Sequence, residues 1–286
     1  MMKTDVKKLM AVFAHPDDES LMMGGTLAKY AAEGVDTYLL MATRGERGRF
    51  GLNGEKPGIE IVGKVREEEL LNAAHELEMK EVSFLDYLDG DLDKSDPQEI
   101  IAKIALHIRR IQPQVLLTFG PDGGYGHPDH IAISQFTTAA IQKAADPTFL
   151  SAAYRPHAVA KLYYLAWTKE KWDLYQKSLK KLTSKVDQEL REVSAFPAWY
   201  ISTYIDARAY WKRAWRAIQC HRTQMEVYDQ NPISEENHTS LWGDQQFYRV
   251  FSTVNGGRAK ESDLFEGIVL EAEQTLSYEP ELKSVS

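Results

Sequence analysis

Short apolar runs alternate with longer stretches of helical periodicity through the first half of the chain. Leu9–Ala14 (LMAVFA) is apolar at every position and flanked by polar residues, which predicts a strand buried on both faces. Leu21–Glu33 spaces its apolar residues as a helix does and stops at Gly34, a residue free to take the positive φ of a helix end. Val35–Ala42 predicts a second strand, Ile61–Met79 a long helix rich in Glu and Leu, and Val82–Leu85 a third strand. Asp96–Ile111 predicts a helix with Pro97 in its first turn, and Val115–Phe119 a fourth strand. A Gly-rich loop and a helix from Asp129 to Ala145 follow. Strands alternating with helices make a mostly parallel sheet with helices on both faces, and right-handed crossovers make it a Rossmann-like α/β fold.

Beyond Ser151 the pattern weakens into a less regular C-terminal α/β portion. Leu162–Trp167 and Phe247–Val254 read as strands, Lys169–Glu192 and Ala207–Tyr228 as helices, and the polar tail after Gln274 as loose. The aromatic stretch Trp199–Trp215 reads as core packing. No repeat or linker divides the chain, so residues 1–286 are expected to form a single domain, with its Rossmann-like core in 1–150 and the C-terminal portion in 151–286. Gly45–Gly58 is long for a strand-to-helix connection, which suits a functional lid or a plain surface loop equally.

Composition narrows the class. The 286 residues are 43% hydrophobic and 27% charged, ample for a large core. A net charge of −8 without a long basic run argues against nucleic acid as a partner. The single cysteine, Cys220, excludes an intramolecular disulfide and fits a reducing compartment. Neither a signal-peptide pattern nor an apolar run near the roughly 20 residues of a membrane span is present, so a cytoplasmic protein is expected.

Chemistry concentrates in two segments, His15-Pro16-Asp17-Asp18-Glu19 after the first strand and His127-Pro128-Asp129-His130 after the fourth. Each follows the carboxyl end of a predicted parallel strand, the edge at which open α/β sheets bind ligands. Imidazole and carboxylate are the expected ligands of a catalytic zinc, with a fourth position left for water. Ferrous iron, manganese or cobalt would suit the same donors. The acids before the first helix could instead serve as caps, and Asp129 as a cap of the later one. Two imidazoles in one short turn are harder to explain by capping.

These two motifs, AHPDDES at 14–20 and GGYGHPDH at 123–130, closely resemble the signatures of the PIG-L/LmbE family of metal-dependent N-acetylglucosaminyl deacetylases. RGERG at 44–48, Arg66-Glu67-Glu68-Glu69-Leu70 and FLDYLDGD at 84–91 resemble family segments too, with a weaker echo at His221-Arg222-Thr223-Gln224. The GGYG lead-in is most similar to the branch acting on mycothiol precursors and conjugates. The resemblance implies that His15, Asp18 and His130 bind Zn2+ (Fe2+ being an alternative) and that Asp17 is the catalytic base. It gives His127 and Tyr125 to the oxyanion, with His127 also a candidate acid, and Asp129 to orienting a protonated His127. Arg66 and Asp89 match sugar-contacting positions, and the C-terminal portion completes the pocket. Arg44, Glu46 and Arg47 fall in the lid segment, while His221 reads as a pocket wall or as a satisfied core histidine. The expected partner is a small amino-sugar conjugate, and the resemblance is compatible with a monomer or a homo-oligomer. The alternative within the fold is an amidase cutting larger acyl groups, such as mycothiol-type thiol conjugates. A dinucleotide-binding protein is disfavoured, since no G-x-G-x-x-G follows the first strand.

Overall fold

The computed structural model describes residues 6–51, 55–149, 153–179, 181–225, 232–254 and 259–270. Strands β1 (Lys8–Phe13), β2 (Asp36–Thr43), β3 (Glu81–Tyr87), β4 (Val115–Thr118) and β5 (Lys161–Leu165) pair in parallel in the order 3-2-1-4-5. Helices α1 (Asp18–Ala32), α2 (Ile59–Glu76), α3 (Pro97–Ile111) and α5 (Pro128–Ala145) connect them, with α4 (Gly123–Gly126) a single turn before α5. The order of strands reverses between β1 and β4, which puts the ligand-binding crevice above that seam. Residues Leu9 to Ala14 are wholly buried, because helices cover both faces of β1.

The C-terminal portion extends this sheet. After α6 (Lys169–Ser178), β6 (Thr183–Val186) and β7 (Glu189–Glu192) form an exposed antiparallel hairpin. Two further strands, β8 (Thr203–Asp206) and β9 (Asp244–Ser252), close the sheet, β9 running antiparallel to β5. Helix α7 (Trp211–Cys220) packs on α1 and α2, while α3 packs on α5, giving a helical layer on each side.

Three expectations are corrected here. The helix read over 169–192 ends at Ser178, since the alternating polar sequence beyond it pairs as a hairpin. The helix read from Ala207 starts at Trp211 and breaks at His221, whose ψ of 57° leaves the helical region; its far end, 226–228, lies outside the described residues. Trp199 is 80% exposed and takes no part in the core, whereas Trp211 and Trp215 pack with His238 and Trp242. The tail after Gln274 and residues 52–54 of the long loop also lie outside the described residues. Among the described residues no helix is long and apolar enough to cross a membrane.

Candidate active site

His15 lies just past the end of β1, and His130 sits in the first turn of α5, 115 positions later. Their rings meet with His15 Nδ1 at 3.1 Å from His130 Nε2. The Asp18 carboxylate completes a triangle, with Oδ1 at 3.4 Å from His130 Nε2 and Oδ2 at 3.7 Å from His15 Nδ1. Ligand atoms each about 2.1 Å from a tetrahedral zinc stand about 3.4 Å apart, so these three donors fit one ion. His15, His127 and His130 also each bring a nitrogen within 4.8 Å of the others.

Each donor is aimed by its surroundings. His130 Nδ1 lies 3.1 Å from the carbonyl of Gly123, which fixes the proton there and frees Nε2. Gly123 has φ +61°, and a Cβ on it would come 3.0 Å from His130 Cβ, so only glycine lets this turn lie against the ring. Phe119 stacks on the His130 ring at 4.0 Å between ring centres. The backbone N–H of His15 donates to Asp18 Oδ2 at 2.8 Å. Behind His15, Nε2 lies 3.1 Å from both Asp129 Oδ2 and Asp89 Oδ1.

The acids of HPDDE do not act as ordinary caps. Asp17 occupies the N-cap of α1 without a side-chain bond to the helix, at φ 110° and ψ −25°. This left-handed backbone is strained for a residue with a Cβ. Burial pushes the Asp17 carboxyl up, and the Arg66 guanidinium, with Nη2 at 3.4 Å from Oδ2, pulls it back. Burial likewise raises Asp18 to about 8, against the opposing charge of His15. Burial would depress His15, but the Asp129 and Asp89 carboxylates raise it to about 10. Burial holds His130 far below the usual imidazole range, helped by the charge of His15. A neutral imidazole aimed at buried carboxylates is a donor set that a divalent cation satisfies.

Several residues do other work than the motifs suggested. The carboxylate of Asp129 accepts from the N–H groups of Gly90 (2.6 Å) and Leu92 (3.2 Å) as well as facing His15. His127 is itself the N-cap of α5, taking the otherwise unpaired N–H of Asp129 on Nδ1 at 3.2 Å. Asp129 therefore orients His127 through its backbone, and burial together with the charge of His15 lowers His127 to about 4. Tyr125 packs on both His127 and His130 with ring centres 5.8 and 5.2 Å away. Arg66 is buried, donating to the carbonyls of Gly45 and Pro16, and Asp89 takes the N–H of Arg47 at 3.0 Å. Arg66 and Asp89 thus frame Asp17 and His15 from within. Arg44 pairs with Glu67 and Asp86, Arg47 with Asp91, and Glu46 accepts from Asp89 N. His221 is fully buried against Glu19, with Nε2 at 2.8 Å from Oε1, an ion pair no local pattern announces across 202 positions.

The profile of the GlcNAc-PI de-N-acetylase family, PIG-L, matches residues 10–141. The 1D-myo-inositol 2-acetamido-2-deoxy-alpha-D-glucopyranoside deacetylase of Rhodococcus jostii is 31% identical, over 92% of this chain and 98% of its own length. N,N'-diacetylchitobiose deacetylase from Pyrococcus horikoshii is similar in fold (TM-score 0.64, 18% identity), covering 86% of this chain and 84% of that one. GalB, the 4-carboxy-2-hydroxymuconate hydratase from Pseudomonas putida, is also similar in fold (TM-score 0.65, 20% identity), over 89% of this chain and all of its own. The fold thus hosts more than one chemistry.

Proposed function

The chain belongs to the GlcNAc-PI de-N-acetylase family, PIG-L, and from that premise we propose that it is a zinc-dependent hydrolase removing the N-acetyl group of an N-acetylglucosaminide. The observation that carries the reading is the convergence of His15 Nδ1, His130 Nε2 and the Asp18 carboxylate, with Asp17 and His127 beside them. When bound, zinc polarises the amide carbonyl and acidifies the attacking water.

The chain's own groups do the rest. Asp17 accepts the proton of the attacking water, its carboxylate held by Arg66. His127, a neutral imidazole with Nδ1 already engaged by the N–H of Asp129, presents its Nε2–H to the oxyanion. The Tyr125 hydroxyl is the second oxyanion donor. Asp129 and Asp89 hold His15, and through its N–H Asp129 also holds His127. In this reading Arg66 and Asp89 form the floor beneath the sugar. Residues 1–150 supply the metal ligands and the base, and the C-terminal portion, 151–286, completes the pocket as part of one deacetylase unit.

The test is acetate release, with metal content measured in parallel. The substrates are the 1D-myo-inositol glycoside named for the relative, other N-acetylglucosaminides, and amides carrying bulky acyl groups. Acetate release from glucosaminides is expected. Turnover of the bulky amides alone would replace this reading with the larger-acyl amidase.

A further inference from the structure

Asp17 holds its strained φ of 110° without a side-chain cap, so something else must impose it. Such a conformation costs about 1–3 kcal/mol and persists only where its surroundings over-determine it. The peptide unit between Pro16 and Asp17 is gripped at both ends. Its carbonyl oxygen, on Pro16, accepts from Arg66 Nη2, and its N–H, on Asp17, donates to Glu19 Oε2 at 3.1 Å. Fixing that plane fixes the rotation that aims the Asp17 carboxylate. Glu19 is fully buried and carries its charge because His221 Nε2 sits 2.8 Å from Oε1, with Ser20 Oγ on the same oxygen. His221 is fully buried too, and its Nδ1 has no hydrogen-bond partner among the described residues. Glu19 is therefore the hydrogen-bond partner of its side chain. The break between α7 and the turn Arg222–Met225 sets the imidazole there.

We propose that Glu19 and His221 are positioning residues for the catalytic base, with His221 anchoring Glu19 and Glu19 holding the N–H of Asp17 so that its carboxylate faces the attacking water. This rests on Asp17 as base, and it extends the working site to a buried residue of the C-terminal portion, outside both motifs.

The experiment compares His221→Leu, His221→Gln, Glu19→Gln and Asp17→Asn in the full-length, zinc-loaded protein, measuring kcat, KM, zinc per chain and Tm. His221→Leu and Glu19→Gln are expected to lower kcat by about 10- to 100-fold, the scale of a misplaced catalytic group, with zinc content unchanged. KM should stay within about twofold, because the interaction is felt in the chemical step. His221→Gln, which keeps an N–H for Glu19, should recover most of kcat. Wild-type kcat in His221→Leu or Glu19→Gln, beside an inactive Asp17→Asn, would overturn the proposal. So would a failure of His221→Gln to recover kcat, or a loss of kcat that tracks zinc and Tm in every variant. Should His221→Leu not fold, Glu19→Gln and His221→Gln decide by the same criteria. An active Asp17→Asn would instead remove the base assignment itself.

Discussion

The Asp129 carboxylate meets the His15 imidazole at Nε2, 3.1 Å away, on the side of the ring opposite the nitrogen that faces His130. A carboxylate so placed fixes the ring's orientation and raises its basicity as a ligand. Asp129→Asn should therefore weaken zinc binding by about 10- to 100-fold, measured by chelator competition. Unchanged affinity would mean that the ring is oriented by other means.

Metal removal should act on stability as well as on turnover. The three donors converge only in the folded chain, so a zinc ion held by them would bind the native state and raise its Tm, by about 4 kcal/mol of stability at a thousandfold excess over Kd. Exhaustive chelation should abolish hydrolysis and lower the Tm in a thermal melt, and added zinc should restore both. His130→Ala should melt at the lower temperature with or without zinc.

Gly25 tests the packing of α1 on the C-terminal portion. A Cβ at this position would fall 1.8 Å from the carbonyl oxygen of Trp242 and 3.2 Å from Ala207 Cβ. Helix propensity alone would favour Gly25→Ala by about 1 kcal/mol. Overpacking against backbone outweighs that, and a net loss of about 2 kcal/mol is expected in urea unfolding. A stabilised variant would show that the two elements separate readily.

Lys171 provides a pH signature away from the metal. It is buried, donates to the carbonyl of Asp244, and lies 4.9 Å from the Trp167 ring centre; burial lowers it to about 7. The unfolded chain, with an ordinary lysine, binds more protons than the native one between pH 7 and roughly pH 10. Stability from this group therefore rises with pH across that window, by at most about 1.4 kcal/mol per unit, and the burden is complete below it. Lys171→Met should remove that slope when urea midpoints at pH 7 and 9.5 are compared with those of the wild type. Parallel curves would show the ammonium to be better solvated than its burial implies.

What could be read from the sequence followed the range of the interactions involved. β1 and β4 are continuous apolar runs because both faces are covered, so their position and parallel pairing follow from local pattern. The alternating, solvent-facing residues of β6 and β7 carry no such signal, and the helix read through them was wrong. At the site, His15, Asp18 and His130 belong to compact motifs and are brought together. Glu19 with His221 and Asp129 with His15 depend on how distant elements pack, and spacing within a motif does not encode that. For Asp129 the side chain and the backbone N–H serve different histidines, a division that residue type alone cannot reveal.

β1 and β4 are hydrogen-bonded neighbours, aligned at Leu9 with Val115 and Ala11 with Leu117. The two motifs thus start from strands one interstrand step apart, about 4.8 Å, whatever the length of chain looped out between them. β2, β3 and their helices form a detour that leaves the seam on one side and returns to it. Insertions in that detour would reshape the rim of the crevice while the strands that launch the two histidine motifs kept their spacing.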